Sequence, residues 1–529
     1  MSEGRFAHFG AVAPHRLAAE SGRNVLAEGG NAVEAMLAMA ATIAVVYPHM
    51  NSLGGDGFWL IADARRRVRY IEACGPAGEK ATIASFREDG RDAIPSRGPL
   101  AALTVPSAVG GFLLALEISR RMGGRLPLSD LLGDAVRLAR DGFPVSASFA
   151  RNEPSEFEDL AAAPGFAATF LKDGKLPKAG ETLKQAALAD MVEHVGRAGF
   201  DDFYRGDVGR EIAADLARIG SAVTRQDLER YRAVEREPLE VALKGATLYN
   251  SPPPTQGLAS LMLLAIFERL SVGRLESFEH VHGLIEATKR AFAARNRIVT
   301  DFVHLREDPA DMLTRESIER EANAIDMKRA GPFGAAEPIG DTVWMGAIDA
   351  QGIAVSYIQS TYWEFGSGCV LPRTGLLMQK RGVAFSLDPE ALNPLEPGRR
   401  PFHTLNPPLA LFRDGRIMSY GAMGGDGQPQ FQAQLFTRHV HFGQSLAEAV
   451  DAPRFLLGRT WGKTRIGLTM ESRFDESLVR ALDRAGHPVN LLGSAYDEAL
   501  GHAGALMRHA DGSVEAAYDP RSDGAALGG

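Results

Sequence analysis

Asp341-Thr342, in the run Ile339-Gly340-Asp341-Thr342-Val343-Trp344-Met345-Gly346-Ala347-Ile348-Asp349, puts a hydroxyl at the head of a strand–turn–strand unit deep inside the chain. Residues 343–348 predict a strand, Asp349-Ala350-Gln351-Gly352 a turn, and residues 353–358 the return strand. A hairpin closed at that turn puts Thr342 opposite Gln359 or Ser360. A second hydroxyl then lies beside a threonine that begins a strand. This suits a threonine released by self-cleavage as an N-terminal nucleophile, whose new α-amine is the base for its own hydroxyl. β-branched residues also favour strands for packing reasons alone. The segment by itself therefore leaves a purely structural Thr342 open.

A second segment carries chemistry of another kind. Gly421-Ala422-Met423-Gly424-Gly425-Asp426-Gly427-Gln428-Pro429-Gln430 follows a predicted strand and precedes a predicted helix. Adjacent glycines let backbone N–H groups point into a cavity without side-chain obstruction, and acyl transfer needs such donors for a developing oxyanion. A tight strand-to-helix turn explains the same glycines equally well. Between the two segments lies Gly398-Arg399-Arg400-Pro401-Phe402-His403-Thr404-Leu405-Asn406-Pro407. His403 is a possible base, but a threonine with a free amine needs none, and a polar loop role is the simpler reading. His280-Val281-His282 and His439-Val440-His441 have the look of metal pairs, yet no His-Glu-x-x-His or Cys-x-x-Cys pattern accompanies them. No Gly-x-Ser-x-Gly elbow marks a serine hydrolase of that type.

The elements that must position these residues fit one large layered unit or two domains in 529 residues. Net charge is −8 and no basic run occurs, which argues against a nucleic-acid partner. The two cysteines, Cys74 and Cys369, make no disulfide framework and suggest a reducing compartment. The first residues hold no apolar signal core, and the apolar run 35–47 is too short to span a bilayer, so a cytoplasmic protein without a membrane span is expected. Asn31 is a plausible N-cap for a helix that stops at Pro48. The following Asn51-Ser52-Leu53-Gly54-Gly55-Asp56-Gly57-Phe58-Trp59-Leu60-Ile61 enters a strand rather than a helix, which rules out a phosphate cradle. Residues 107–148, 184–236, 257–270 and 276–297 predict helices, and Leu239–Tyr249 predicts a strand ended by Ser251-Pro252-Pro253-Pro254-Thr255. The charged stretch 307–339 is expected to be exposed and mobile. Strands dominate after Thr342. Helices with strands early and late fit sheet layers covered by helices.

Taken in order, these motifs resemble the γ-glutamyltransferase family of N-terminal nucleophile hydrolases, over nearly the whole chain. Gly29-Gly30-Asn31-Ala32-Val33-Glu34-Ala35 is similar to the family's G-G-N-A-V-D-A, and Asn51–Phe58 to its S-G-I-G-G-G-G-F. Pro252-Pro253-Pro254-Thr255-Gln256-Gly257 resembles its P-P-P-S-S-G turn, and Asp519-Pro520-Arg521-Ser522 its closing D-P-R-S. The resemblance implies an α+β fold, a four-layer αββα sandwich formed as one intertwined domain. It implies self-cleavage between Asp341 and Thr342 into a large fragment 1–341 and a small fragment 342–529 that stay associated, and that pair further into a dimer of heterodimers in some members. Thr342 then matches the nucleophile and Ser360 the hydroxyl that bonds its amine. Gly424 and Gly425 match the oxyanion-hole pair, and His403 and Thr404 the first two serines of the S-S-M-S-P segment. No metal or organic cofactor is implied.

Departures from the family pattern point to the substrate. The arginine that grips a glutamyl α-carboxylate is Ile83 here. The substrate-binding asparagine aligns with Tyr362. The lid motif N-N-Q-M-D-D-F-S aligns with Gln379-Lys380-Arg381-Gly382-Val383-Ala384-Phe385-Ser386, so the aspartate that binds an α-ammonium has become Ala384 and a glutamine has become Arg381. Charge-assisted contacts of this kind are worth about 1.5–3 kcal/mol each, and their loss disfavours γ-glutamyl substrates. A smaller pocket beside Tyr362 and Trp363 suits a small anionic amide without an amino group. Oxamate is one, and amidohydrolases of oxamate are known in the family. Arg381 or Arg400 is expected to hold its carboxylate. The alternatives are a γ-glutamyl hydrolase or transferase acting on glutathione or γ-glutamyl amides, and an uncleaved relative without catalysis.

Overall fold

The computed structural model describes residues 2–151, 156–333, 341–459 and 466–529. Two seven-stranded antiparallel sheets form its centre. The first runs, edge to edge, Ser2–Phe6 (β1), Val514–Tyr518 (β13), Ala503–Arg508 (β12), Ile417–Ala422 (β11), Leu409–Phe412 (β10), Ala246–Asn250 (β7) and Leu239–Ala242 (β6). The second runs Ala525–Gly528 (β14), Gly10–Ala13 (β2), Asp341–Ile348 (β8), Ala354–Tyr362 (β9), Asp56–Ala62 (β3), Val68–Ala73 (β4) and Val234–Arg236 (β5).

Strand alternation explains the layering. In β8, Val343, Met345 and Ala347 join the core beneath Arg16–Ala27 (α1) and Ala32–Val46 (α2), while Trp344 and Ile348 pack between the sheets. The other sheet does the same: Leu409 and Leu411 face the inter-sheet core, while Ala410 and Phe412 face Gly257–Arg269 (α3), Phe278–Ile298 (α4) and Gly427–Phe436 (α5). Both faces of both sheets are apolar, which only helices on either side can bury. The result is the expected αββα sandwich. Trp344 sets the sheet spacing: a Cβ on Gly421 would lie 2.3 Å from its ring and one on Gly504 2.8 Å. Helix α2 is buried along its whole length and is held at its start by the Asn31–Glu34 capping box. Its Ala32 N–H donates to Asp349 Oδ2 in the β8–β9 turn at 2.9 Å.

Several elements differ from expectation. Stretch 307–339 is not uniformly exposed: Arg315–Asn323 is a helix, capped by Thr314 and burying Ile318 and Ala322, and residues 334–340 lie outside the described residues. The end of the predicted helical region 184–236 is strand β5, which pairs with β4. The first residues form β1 and β2, one in each sheet. Among the described residues no helix is long and apolar enough to cross a membrane.

Candidate active site

Thr342 lies at an irregularity between β8 and β9. Asp341 pairs with Tyr362 and Val343 with Gln359, so Ser360 and Thr361 together face Thr342. By alternation Thr342 shares the inter-sheet side of β8 with Trp344, and Ser360 shares that of β9 with Ile358. Both hydroxyls are buried, at 1% exposure. The Tyr362 N–H donates to Ser360 Oγ at 2.8 Å. From the opposite sheet, Gln428 in the first turn of α5 brings Nε2 to 3.5 Å from Thr342 Oγ1.

The glycine pair follows β11. Gly424 has φ 121° and Gly425 φ 53°, conformations that L side chains rarely adopt, so the turn requires glycine at both. Their carbonyls are occupied: the Gly427 N–H donates to Gly424 O at 2.7 Å, and the Gln428 N–H and Gln256 Nε2 donate to Gly425 O at 3.1 and 2.8 Å. Their own N–H groups find no acceptor among the described residues. A buried ion pair clamps the turn. Arg295 Nη1 from α4 donates to Asp426 Oδ1 and to Gln256 Oε1, each at 2.7 Å. Gln256 Nε2 also donates to Thr404 O at 2.7 Å, tying the turn to the His403–Thr404 segment.

The other end of the site is charged. Arg381 is 1% exposed, and none of its guanidinium nitrogens has a hydrogen-bond partner among the described residues. Its guanidinium carbon lies 4.0 Å from the centroid of the Tyr362 ring, and burial pulls its pKa below the ordinary arginine value. Tyr362 adopts φ 88°, a strained conformation for a non-glycine residue, at the end of β9. His403 is fully buried with Nε2 3.0 Å from Asp56 Oδ2. Burial first, and Arg381 second, push its pKa down to about 4 against the pull of Asp56. Burial raises the Asp56 carboxyl, but His403, Ser107 and Gln379 together hold it below the usual range. Thr404 Oγ1 is buried without a hydrogen-bond partner among the described residues. Arg400 is placed differently from the other expected residues. Its Nε pairs with Glu72 Oε1 at 3.0 Å, and its backbone N–H donates to Asp301 Oδ2 at 2.8 Å. Its guanidinium is paired with a carboxylate, whereas all three nitrogens of Arg381 lack a hydrogen-bond partner among the described residues.

Sequence reading missed Gln428, Gln256, Arg295 and Asp56. Asp56 carried a signal, since it stands where the resembling motif has glycine. The neutral glutamines carried none. Away from this site, His282, Glu286 and His487 bring ligand atoms within 4.8 Å of one another. His282 Nδ1 and His487 Nε2 already hydrogen-bond at 2.8 Å and Lys289 Nζ donates to Glu286 Oε1 at 2.7 Å, so all three groups are engaged with protein partners.

The model of the gamma-glutamyltranspeptidase family matches residues 18–529. The chain belongs to this family. Like other family members, it is an enzyme built as an N-terminal nucleophile hydrolase. It is 49% identical over 522 residues to the oxamate amidohydrolase proenzyme of Klebsiella pneumoniae subsp. pneumoniae, covering 98% of each chain. It is 30% identical over 532 residues to the glutathione hydrolase proenzyme of Escherichia coli, covering 96% of this chain and 89% of that one. Among solved structures, cephalosporin acylase from Bacillus halodurans superposes with TM-score 0.89 at 29% identity, covering 100% of this chain and 97% of that chain.

Proposed function

We propose that this family member cuts itself before Thr342 and then hydrolyses a small anionic amide, oxamate or a close analogue, through a threonyl ester. The observation that carries the substrate is Arg381, a buried guanidinium that packs on the Tyr362 ring and has no hydrogen-bond partner among the described residues. An unpaired buried charge is costly, and a substrate carboxylate with two oxygens matches its fork of donors. Thr404 Oγ1 and His403 Nδ1, also buried and without a hydrogen-bond partner among the described residues, supply further polar contacts for a dicarbonyl. The likeness to an oxamate amidohydrolase supports the same reading.

In maturation, Thr342 Oγ attacks the Asp341 carbonyl, the peptide becomes an ester, and water hydrolyses it to an Asp341 carboxylate and a free Thr342 amine. In turnover that amine takes the Oγ proton as Oγ attacks the substrate amide. The Gly424 and Gly425 N–H groups hold the oxyanion. The proton passes to the leaving nitrogen, ammonia departs, and water activated by the same amine releases the acid. Ser360 orients the amine. The fragments stay together because both sheets interleave them. One has the order small–large–small–small–large–large–large, and the other large–small–small–small–small–large–large. Two buried free cysteines accord with a cytoplasmic site of action. Comparing kcat/KM for oxamate with that for a γ-glutamyl anilide tests the substrate. Oxamate is expected to be preferred, and preference for the anilide contradicts the reading.

A further inference from the structure

A line of buried side-chain amides ends on the nucleophile. Its orientation is fixed by two backbone groups. The Ser251 N–H donates to Asn250 Oδ1 at 2.8 Å, so Asn250 Nδ2 must face outward, and it donates to Asn406 Oδ1 at 3.2 Å. Asn406 Nδ2 donates to the Thr404 carbonyl at 3.0 Å and to Gln428 Oε1 at 3.1 Å. With its oxygen taken, Gln428 has only its NH2 to present to Thr342 Oγ1, at 3.5 Å. All three amides are fully buried, so each dipole acts at low dielectric and none can turn without stranding a polar group. The anchors come from three separate elements: the end of β7, the loop before β10 and the first turn of α5.

We propose that Gln428 is a positioning residue for Thr342, and that Asn250 and Asn406 exist in this arrangement to keep its donor, rather than its acceptor, toward Oγ1. This rests on the reading of Thr342 as the nucleophile. An N–H on Oγ1 fixes the side-chain rotamer and occupies one lone pair. The hydroxyl proton is then directed to the base, and the N–H favours the oxygen as it gains negative charge. The 3.5 Å separation is long for a hydrogen bond in the resting state and is expected to shorten as that charge develops.

The test uses the full-length chain, following self-cleavage by intact mass and turnover by ammonia release from oxamate. Gln428→Met removes the donor at similar volume. It is expected to slow self-cleavage and lower kcat by about 100-fold, the scale of a misplaced reacting group, with KM within about three-fold of wild type. Gln428→Glu keeps the bond from Asn406 but puts a carboxylate beside the new amine. Its acid limb in the kcat–pH profile is expected to move upward by about one unit, which a merely structural role would not produce. Asn406→Asp keeps an acceptor for Asn250 but loses the donor that sets the Gln428 amide, and is expected to lie between wild type and Gln428→Met. A cleaved Gln428→Met protein with wild-type cleavage rate and kcat overturns the positioning role while leaving the nucleophile intact. Wild-type protein that never cleaves overturns the nucleophile and this inference with it. If wild type cleaves but ignores oxamate, the cleavage rates alone decide.

Discussion

The two ends of the site are built in opposite ways. At the Thr342 end every side chain is neutral or neutralised, and the hydrogen bonds close on one another: Gln428 on Asn406, Gln256 on Gly425 and Thr404, Arg295 on Asp426. At the Arg381 end a full charge is buried beside a strained Tyr362, with no hydrogen-bond partner among the described residues. The first end is held in place without substrate and leaves the Gly424 and Gly425 N–H groups open among the described residues, as a preorganised oxyanion site should. The second, on the proposed function, is completed by the anion of the substrate. On the same reading, chemistry and selectivity are separated in space, and a substitution should damage one and spare the other.

The sharpest break of that contrast is Thr342→Ala. It is expected to leave one uncut chain on a denaturing gel and to lower turnover by at least about a thousand-fold, because the proposed nucleophile and its amine are lost together. Arg381→Met comes next and should fall on the other side. Self-cleavage is expected to proceed, while kcat/KM for oxamate drops by about 100-fold for the lost charge-assisted contacts. The same variant should melt at a higher temperature than wild type without ligand, because an uncompensated buried charge has been removed. A calorimetric scan with and without oxalate checks both halves, since oxalate should stabilise wild type and not the variant.

Arg295→Met probes the clamp rather than the reacting groups. It leaves Asp426 buried and unpaired, at a cost of about 3–5 kcal/mol in denaturant unfolding. Arg295→Met combined with Asp426→Leu should cost less than the sum of the two single changes. The smallest effect concerns His403. Its folded pKa of about 4 lies below the ordinary value of 6.5, so the unfolded chain binds the extra proton first. Its contribution is present above pH 6.5 and is lost as pH falls toward 4, with a slope of up to about 1.4 kcal/mol per unit. In His403→Gln the stability curve should be flatter across that window.

The layered fold and the Thr342 hairpin were legible because period-two apolar runs and the Asp349–Gly352 turn are local signals. The N-terminal strands were not. Ser2–Phe6 has no alternation of its own and is a strand because it pairs with Val514–Tyr518 at the other end of the chain. The helix Arg315–Asn323 was hidden by its charge, since it holds just two hydrophobic residues, Ile318 and Ala322, both buried. Arg381 and Arg400 look alike in the sequence. Only tertiary neighbours separate them: Glu72 and Asp301 stand beside one, and an aromatic face beside the other. The amides around Gln428 carry no charge, no metal affinity and no motif, so their convergence is a property of the folded chain alone.

The intact mass of the purified protein under denaturing conditions tests the account most directly. Two species with the masses of 1–341 and 342–529 are the predicted result. A single full-length species that nonetheless hydrolyses oxamate would contradict it, because the nucleophile would then lie elsewhere.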